Sequence, residues 1–99
     1  MKSIKVGPTD FSVEYVPLNE ELFGDFSYIT SRIRIEENLK GPPLVDTVIH
    51  EVLHAIWKLG QLKDKKEDEE RAVSVMATYL TQVLRDNPEF MPWIKKNLA

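Results

Sequence analysis

Apolar and polar side chains alternate in short runs along the N-terminal third of the chain, a pattern typical of strands with one buried face. The runs cover residues 4–6, 11–16, 26–29 and 32–36. The last run would turn Ile33 and Ile35 towards a core, and the polar break at Thr30-Ser31 indicates a hairpin between the last two runs. We therefore predict a small antiparallel or mixed sheet over about residues 3 to 36.

After Gly41-Pro42-Pro43 the apolar positions recur every three to four residues, which is helical spacing. Proline suits the first helical position, because the N–H that it lacks would have no partner there. Asp46 is expected in the first turn, where the helix dipole favours a carboxylate. The pattern predicts a helix over about residues 43 to 59.

A second helix is predicted over about residues 65 to 86, ended by Asn87-Pro88. Asp64 and Glu67 have the spacing of a capping box, in which each side chain binds a backbone N–H at the start of the helix. The apolar positions that we expect this helix to bury are Ala72, Val73, Val75, Met76, Tyr79, Leu80, Val83 and Leu84. A short third helix is expected at about residues 92 to 96. The order of elements predicts an α+β fold, with the sheet packed on the two main helices.

Composition narrows the class of protein. With 99 residues the chain is expected to form a single domain, residues 1–99, around one core. No apolar run approaches the length that spans a bilayer, and the N-terminus lacks an apolar signal segment, so we expect a cytoplasmic protein. A net charge of -3 without a basic patch argues against a nucleic-acid partner. Because cysteine is absent, disulfides and thiolate metal ligands are excluded.

Both histidines of the chain belong to the segment His50-Glu51-Val52-Leu53-His54, an H-E-x-x-H arrangement. On a helix, positions four apart lie on the same face, so that both imidazoles reach one zinc ion. Glu51 would then lie beside a water molecule that the metal activates. The segment predicts a catalytic Zn²⁺ site with His50 and His54 as ligands and Glu51 as general base.

A catalytic zinc site needs three protein ligands, so the third must be a carboxylate. The acidic run at residues 67–70 opens the second helix, where the helix dipole alone also favours acids. At about 100° per residue, Glu70 lies roughly 125° from the centre of that helix's apolar stripe and Glu69 about 25°. His50 and His54 lie roughly 120° and 155° from the centre of their own stripe. Glu70 is therefore the preferred third ligand, with Glu69 as the alternative.

The H-E-x-x-H segment, followed by Glu70, Ser74 and Ala77, resembles the gluzincins, the thermolysin-like class of zinc peptidases. The predicted layout, a small sheet followed by two helices, resembles the small peptidases of the ImmA/IrrE type and the short H-E-x-x-H proteins encoded by bacteriophages. The resemblance implies a zinc metallopeptidase whose metal is held by the two histidines and Glu70, and which hydrolyses a protein or peptide substrate. In that family the third ligand is commonly followed four residues on by Asp or Asn and seven on by Gly or Ala. Ala77 fits this pattern and Ser74 departs from it.

In the gluzincin fold an edge strand holds the substrate, and residues 32–36, just before the motif helix, are expected to offer a free edge to an extended peptide. A second function class stays open: a non-enzymatic interaction module that zinc stabilises. Glu51 favours the enzyme, because a purely structural zinc site closes its fourth position and needs no base beside it.

Overall fold

The alternating segments form strands and the helically spaced segments form helices in the computed structural model, which describes residues 1–19 and 21–99. In these ranges the strands are β1 (Ser3–Val6), β2 (Thr9–Val16), β3 (Gly24–Ser27) and β4 (Arg32–Glu36). The helices are α1 (Pro42–Leu59), α2 (Lys66–Asp86) and α3 (Phe90–Leu98). The predicted α+β class is confirmed, and α3 is longer than expected. No helix of these ranges has the length and apolar character needed to cross a membrane.

The four described strands form one mixed sheet in the order β1-β2-β4-β3. β1 and β2 are antiparallel, β2 and β4 are parallel, and β3 and β4 form the predicted hairpin. The expectation of a free edge at residues 32–36 is wrong, because β4 is paired on both sides. Ile33 and Ile35 are fully buried there, as suits a strand in the middle of a sheet. The free edge beside α1 belongs to β3.

Alternate side chains of β2 and β4 form the main core, which α1 covers. The fully or almost fully buried members of this cluster are Phe11, Val13, Ile33, Ile35 and Ala55. Burying a large apolar side chain of this kind stabilises the fold by about 1.5 to 3 kcal/mol. A second buried cluster joins α1 to α2 through Leu53, Val73 and Ala77. The main core therefore fixes α1 on the sheet, and the second cluster fixes α2 on α1.

The start of α1 follows the prediction in one respect and departs from it in another. Gly41 is the N-cap with a positive φ of 66°, and Pro42 and Pro43 fill the first two helical positions. The first turn contains no acidic residue, so the expected position of Asp46 is wrong. Because the helix begins at Pro42, Asp46 lies beyond the first turn, and its Oδ2 accepts a hydrogen bond from the Thr78 hydroxyl of α2 at 3.2 Å.

The predicted capping box of Asp64 and Glu67 is not formed. The N-cap of α2 is Lys65, and no side chain caps the helix. Asp64 lies one residue too early to cap, and its Oδ2 instead accepts a hydrogen bond from Trp57 Nε1 at 3.1 Å. This contact links the end of α1 to the connection that leads into α2.

The face that α2 buries also differs from the predicted apolar stripe. The buried side chains of α2 are Val73, Ala77 and Thr81. Four members of the predicted stripe are between 40% and 65% exposed, namely Val75, Met76, Tyr79 and Leu80. The helix turns its smaller side chains towards α1, which lets the two helix axes approach closely. The larger apolar side chains consequently lie on the outside.

Candidate metal centre

The two histidines lie one turn apart on α1, on the side of the helix that faces the first turns of α2. Their Nε2 atoms are 3.2 Å apart, and both side chains are mostly buried. The two rings meet edge to face, with 4.9 Å between their centroids. The i, i+4 spacing of the sequence therefore brings two imidazole nitrogens to one point, as the motif predicts.

Glu70 of α2 reaches both histidines at the same point. Its Oε1 lies 2.9 Å from His50 Nε2, and its Oε2 lies 2.8 Å from His54 Nε2. One ligand atom from each of the three residues lies within 4.8 Å of the others. Ligands bound tetrahedrally at about 2.1 Å from a zinc ion would lie about 3.4 Å apart. The spacing and the donor set, two imidazoles and a carboxylate, therefore fit Zn²⁺ with one position left for water or substrate.

Glu69, the alternative ligand, makes a different contact. His54 Nδ1 donates to Glu69 Oε2 at 2.6 Å, on the side of the ring opposite Glu70. A histidine that binds a metal through one nitrogen usually donates its other N–H to a carboxylate or carbonyl, which fixes the ring and its tautomer. Glu69 thus orients His54 while Glu70 faces the shared point. Sequence reasoning treated the two acids as competitors and missed this division.

Glu51 lies next to the histidines and is only 5% exposed. Burial raises the pKa of the Glu51 carboxyl to about 7, against an opposing effect of His54 and with smaller contributions from the negative charges of Glu70 and Asp25. A divalent cation held by the neighbouring ligands would favour the charged carboxylate and lower this pKa. With a cation bound, Glu51 would therefore be ionised near neutral pH, which is the form that accepts a proton as a general base.

A cleft of about 540 Å³ opens beside these residues, and we call it the site trough. His50, Glu51 and Glu70 line one part of it. One wall is the segment Leu22–Gly24 leading into the edge strand β3, and the opposite wall comes from the C-terminal half of α2, including Arg85. The trough is large enough for two or three peptide residues to lie beside His50 and Glu51.

Gly24 lets the edge strand come close to the base. A Cβ atom at this position would lie 2.8 Å from Thr47 Cγ2, 3.0 Å from the Arg34 carbonyl oxygen and 3.3 Å from Glu51 Oε2. The first distance is shorter than side-chain packing permits, and the other two are tight contacts. Asp25 next to it forms a bidentate ion pair with Arg34 of β4, which also lowers the pKa of the Asp25 carboxyl. No signal in the sequence pointed to this role, because the close approach arises only when β3 packs against α1.

Two further pairs of residues do not join the site: Ser74 and Ala77 of the gluzincin pattern, and the tyrosines Tyr28 and Tyr79. Ser74 is half-buried on α2, and no described hydrogen bond links it to His50 or His54. Tyr28 and Tyr79 do not line the described part of the trough. Ala77 is fully buried where α2 packs on α1. Ala77 therefore contributes to the contact between the two helices, and Ser74 forms no described hydrogen bond to the histidines.

Comparisons of the chain with protein-family models, with curated proteins and with solved structures found no match. The resemblance to the gluzincins therefore stays a prediction that rests on the residues and geometry of this chain. The three side chains converge on one point, and Glu51 is buried beside them.

Proposed function

We propose that this protein is a zinc-dependent peptidase of the gluzincin type, with His50, His54 and Glu70 as zinc ligands and Glu51 as general base. One observation carries the proposal: three donor atoms from two helices converge on one point, and a buried carboxylate lines the trough beside them. A structural zinc site has four protein ligands and leaves no open position. A set of three ligands next to an unligated acid supports catalysis instead.

The reaction is hydrolysis of a peptide bond. When bound, zinc supplies a Lewis acid for the scissile carbonyl and lowers the pKa of a water molecule to about 7. Glu51 accepts a proton from the attacking water as the water oxygen bonds to the carbonyl carbon. The C–N bond then breaks, and Glu51 passes this proton to the leaving amine. Glu69 holds the His54 ring in one orientation throughout, through the 2.6 Å hydrogen bond from Nδ1.

The substrate is a protein or peptide in extended form, and we expect it to meet the enzyme in the cytoplasm. The edge strand β3 presents unpaired backbone groups on its outer side, next to the trough. An extended chain that adds to this edge would lie beside His50 and Glu51, with its backbone held by ladder hydrogen bonds. Leu22 and Phe23, which are 46% and 60% exposed, offer apolar contacts to its side chains.

A second candidate is an interaction module that zinc stabilises and that has no turnover. The observation in its favour is that no tyrosine hydroxyl is placed to stabilise a developing oxyanion: neither Tyr28 nor Tyr79 lines the described trough, and Tyr79 lies on the outer side of α2. In known acyl-transfer enzymes, removal of one such donor costs about 100-fold to 1,000-fold in rate. The two candidates share the zinc site and differ in whether Glu51 is needed.

A comparison of wild type with Glu51→Gln separates them. Both proteins are loaded with zinc and incubated with a denatured proteome, and new N-termini are counted by mass spectrometry. We expect wild type to generate new N-termini and Glu51→Gln to lose at least about 100-fold of this activity with its zinc content unchanged. Glu67→Gln, which removes an exposed acid from the first turn of α2, is the matched control and should behave as wild type. Equal cleavage, or none, by wild type and Glu51→Gln at equal zinc content would favour the module.

A further inference from the structure

The side of α2 that faces away from α1 carries large apolar side chains that nothing in the described chain covers. Val75, Met76, Tyr79 and Leu80 are between 40% and 65% exposed, and Val83 continues the stripe. α3 carries further exposed apolar side chains: Phe90, Met91, Trp93 and Leu98 are between 37% and 81% exposed. We call these nine residues the outer apolar surface. Monomeric proteins rarely expose apolar patches of this extent without a use for them.

The two halves of the outer apolar surface are continuous. Val83 of α2 and Phe90 and Trp93 of α3 line one groove of about 430 Å³ at the corner between the helices. None of the residues of α3 is buried, so this helix projects from the body and does not pack along α2 of its own chain. A short connection between the helices holds the two apolar faces at an angle, and neither face covers the other.

We propose that the outer apolar surface is a homodimer interface, in which α3 of each copy packs along α2 of the other copy. The lengths match: α3 has nine residues and is about 13 Å long, and the stripe from Val75 to Val83 spans about 12 Å. Each chain carries one projecting helix and one uncovered stripe. In a dimer with a twofold axis, the helix of each copy therefore covers the stripe of the other.

The extent of the exposed apolar area supports a second copy of the chain as the partner. The exposed fractions of the eight side chains other than Val83 correspond to on the order of 800 Å² per copy, which is what each partner of a standard-size interface buries. Trp93 and Tyr79 are 61% and 65% exposed, and such aromatic side chains are typical anchors of interfaces. The outer apolar surface lies on the side of α2 away from the buried Ala77 and Thr81, so the site trough stays open in the dimer.

Charge selects the direction of packing. The first turns of α2 are acidic, with Glu67, Asp68 and Glu69, whereas the last turn of α3 carries Lys95 and Lys96. Antiparallel packing turns the basic end of α3 towards the acidic start of the partner's α2 and also opposes the two helix dipoles. Parallel packing would bring Glu89, at the start of α3, towards the same acids. In the antiparallel register the centres of the two faces, Tyr79 and Trp93, lie against each other.

Sedimentation velocity on the full chain, over about 1 to 500 μM, tests the proposal. We expect wild type to dimerise, and Tyr79→Lys and Trp93→Glu each to raise the dimer dissociation constant at least about 100-fold. Ile29→Lys, at a 94% exposed apolar position in the β3–β4 turn, is the matched control and should dimerise as wild type. Circular dichroism checks the fold, and Leu98→Glu at an 81% exposed position replaces any α3 variant that fails to fold.

A mixture of Tyr79→Lys with Trp93→Glu adds a sharper readout. A mixed dimer has one wild-type contact between α3 and α2 and one contact in which the new lysine faces the new glutamate. We therefore expect the mixture to form heterodimers at concentrations where each variant alone is monomeric. A monomeric wild type at about 500 μM would overturn the proposal and assign the surface to a different partner. If both variants still dimerise, or if their mixture stays monomeric, α3 does not pack along α2 of the other copy and the proposal is wrong.

Discussion

Replacement of Glu51 by Gln should stabilise the metal-free protein above about pH 7 and change its stability little below about pH 4.5. The carboxyl is 5% exposed and lies among the acids of the site, so that its charged form is disfavoured in the folded state. Gln has nearly the same shape and carries no charge. The substitution therefore removes the cost of burying the charge while the packing of α1 on the sheet is retained.

The magnitude follows from the difference between the folded and unfolded pKa of Glu51. Burial raises this pKa from 4.5 to about 7, so the folded state binds the proton more tightly than the unfolded state. Below pH 4.5 the carboxyl is neutral in both states and costs nothing. As the pH rises from 4.5 to about 7 the wild type loses stability, by a total on the order of 3 kcal/mol, and the loss is complete above that range.

The assay is urea unfolding of both proteins in the presence of a chelator, at about pH 4.5 and about pH 8. The difference in free energy of unfolding between Glu51→Gln and wild type should grow by on the order of 3 kcal/mol between these two conditions. Glu37→Gln, which removes an exposed acid, is the control and should show no such growth. A difference that is the same at both pH values would refute the assignment of Glu51 as a carboxyl whose charge is costly to bury.

Two further predictions concern the edge strand and the metal. Gly24→Ala should destabilise the fold by about 1 to 3 kcal/mol in urea unfolding, because the new Cβ would lie 2.8 Å from Thr47 Cγ2. Thr47→Ser removes that methyl group, so part of the loss should be recovered in the double variant, and an additive result would contradict the clash. Zinc at about 100 times its dissociation constant should stabilise wild type by about 2.7 kcal/mol in thermal unfolding. His50→Ala should abolish this gain, and an equal gain in both proteins would show that zinc binds elsewhere.

The local pattern predicted the elements of the fold and the hairpin of β3 and β4, but not the pairing of β2 with β4. Period-2 alternation identified the strands, and both isoleucines of β4, Ile33 and Ile35, are buried as expected. Apolar and polar side chains alternate in the same way in central and in edge strands. The alternation therefore did not indicate that β2 pairs with β4 in parallel. That pairing moved the free edge from residues 32–36 to β3.

The second feature that the apolar pattern did not predict is which face α2 turns towards α1. An apolar stripe at Val75 and Tyr79 predicted a buried face there, yet α2 packs on α1 through its smaller side chains, including Ala77. Close approach of two helices requires small residues at the crossing, and this requirement outweighed the area of the larger stripe. The large side chains became the outer apolar surface.

The sequence predicted best those residues of the candidate site that lie close together along the chain. His50 and His54 share a helix, so four residues of spacing were enough to bring them together. The choice of Glu70 over Glu69 depended on an angle between two helices that the sequence does not fix. The structure brings Glu70 to the Nε2 atoms and Glu69 to His54 Nδ1, a contact that depends on side-chain conformation.

Zinc binding by wild type, Glu70→Ala and Glu69→Ala tests the central claim most directly. The metal content of each protein is measured after dialysis against zinc buffered at about micromolar free concentration, and affinity is then determined by competition with a chelator. We predict one zinc per wild-type chain, loss of binding in Glu70→Ala, and binding about 10-fold to 100-fold weaker in Glu69→Ala, because Glu69 supports a ligand without being one. Zinc bound as tightly by Glu70→Ala as by wild type, or no zinc bound by wild type at micromolar concentration, would contradict the site.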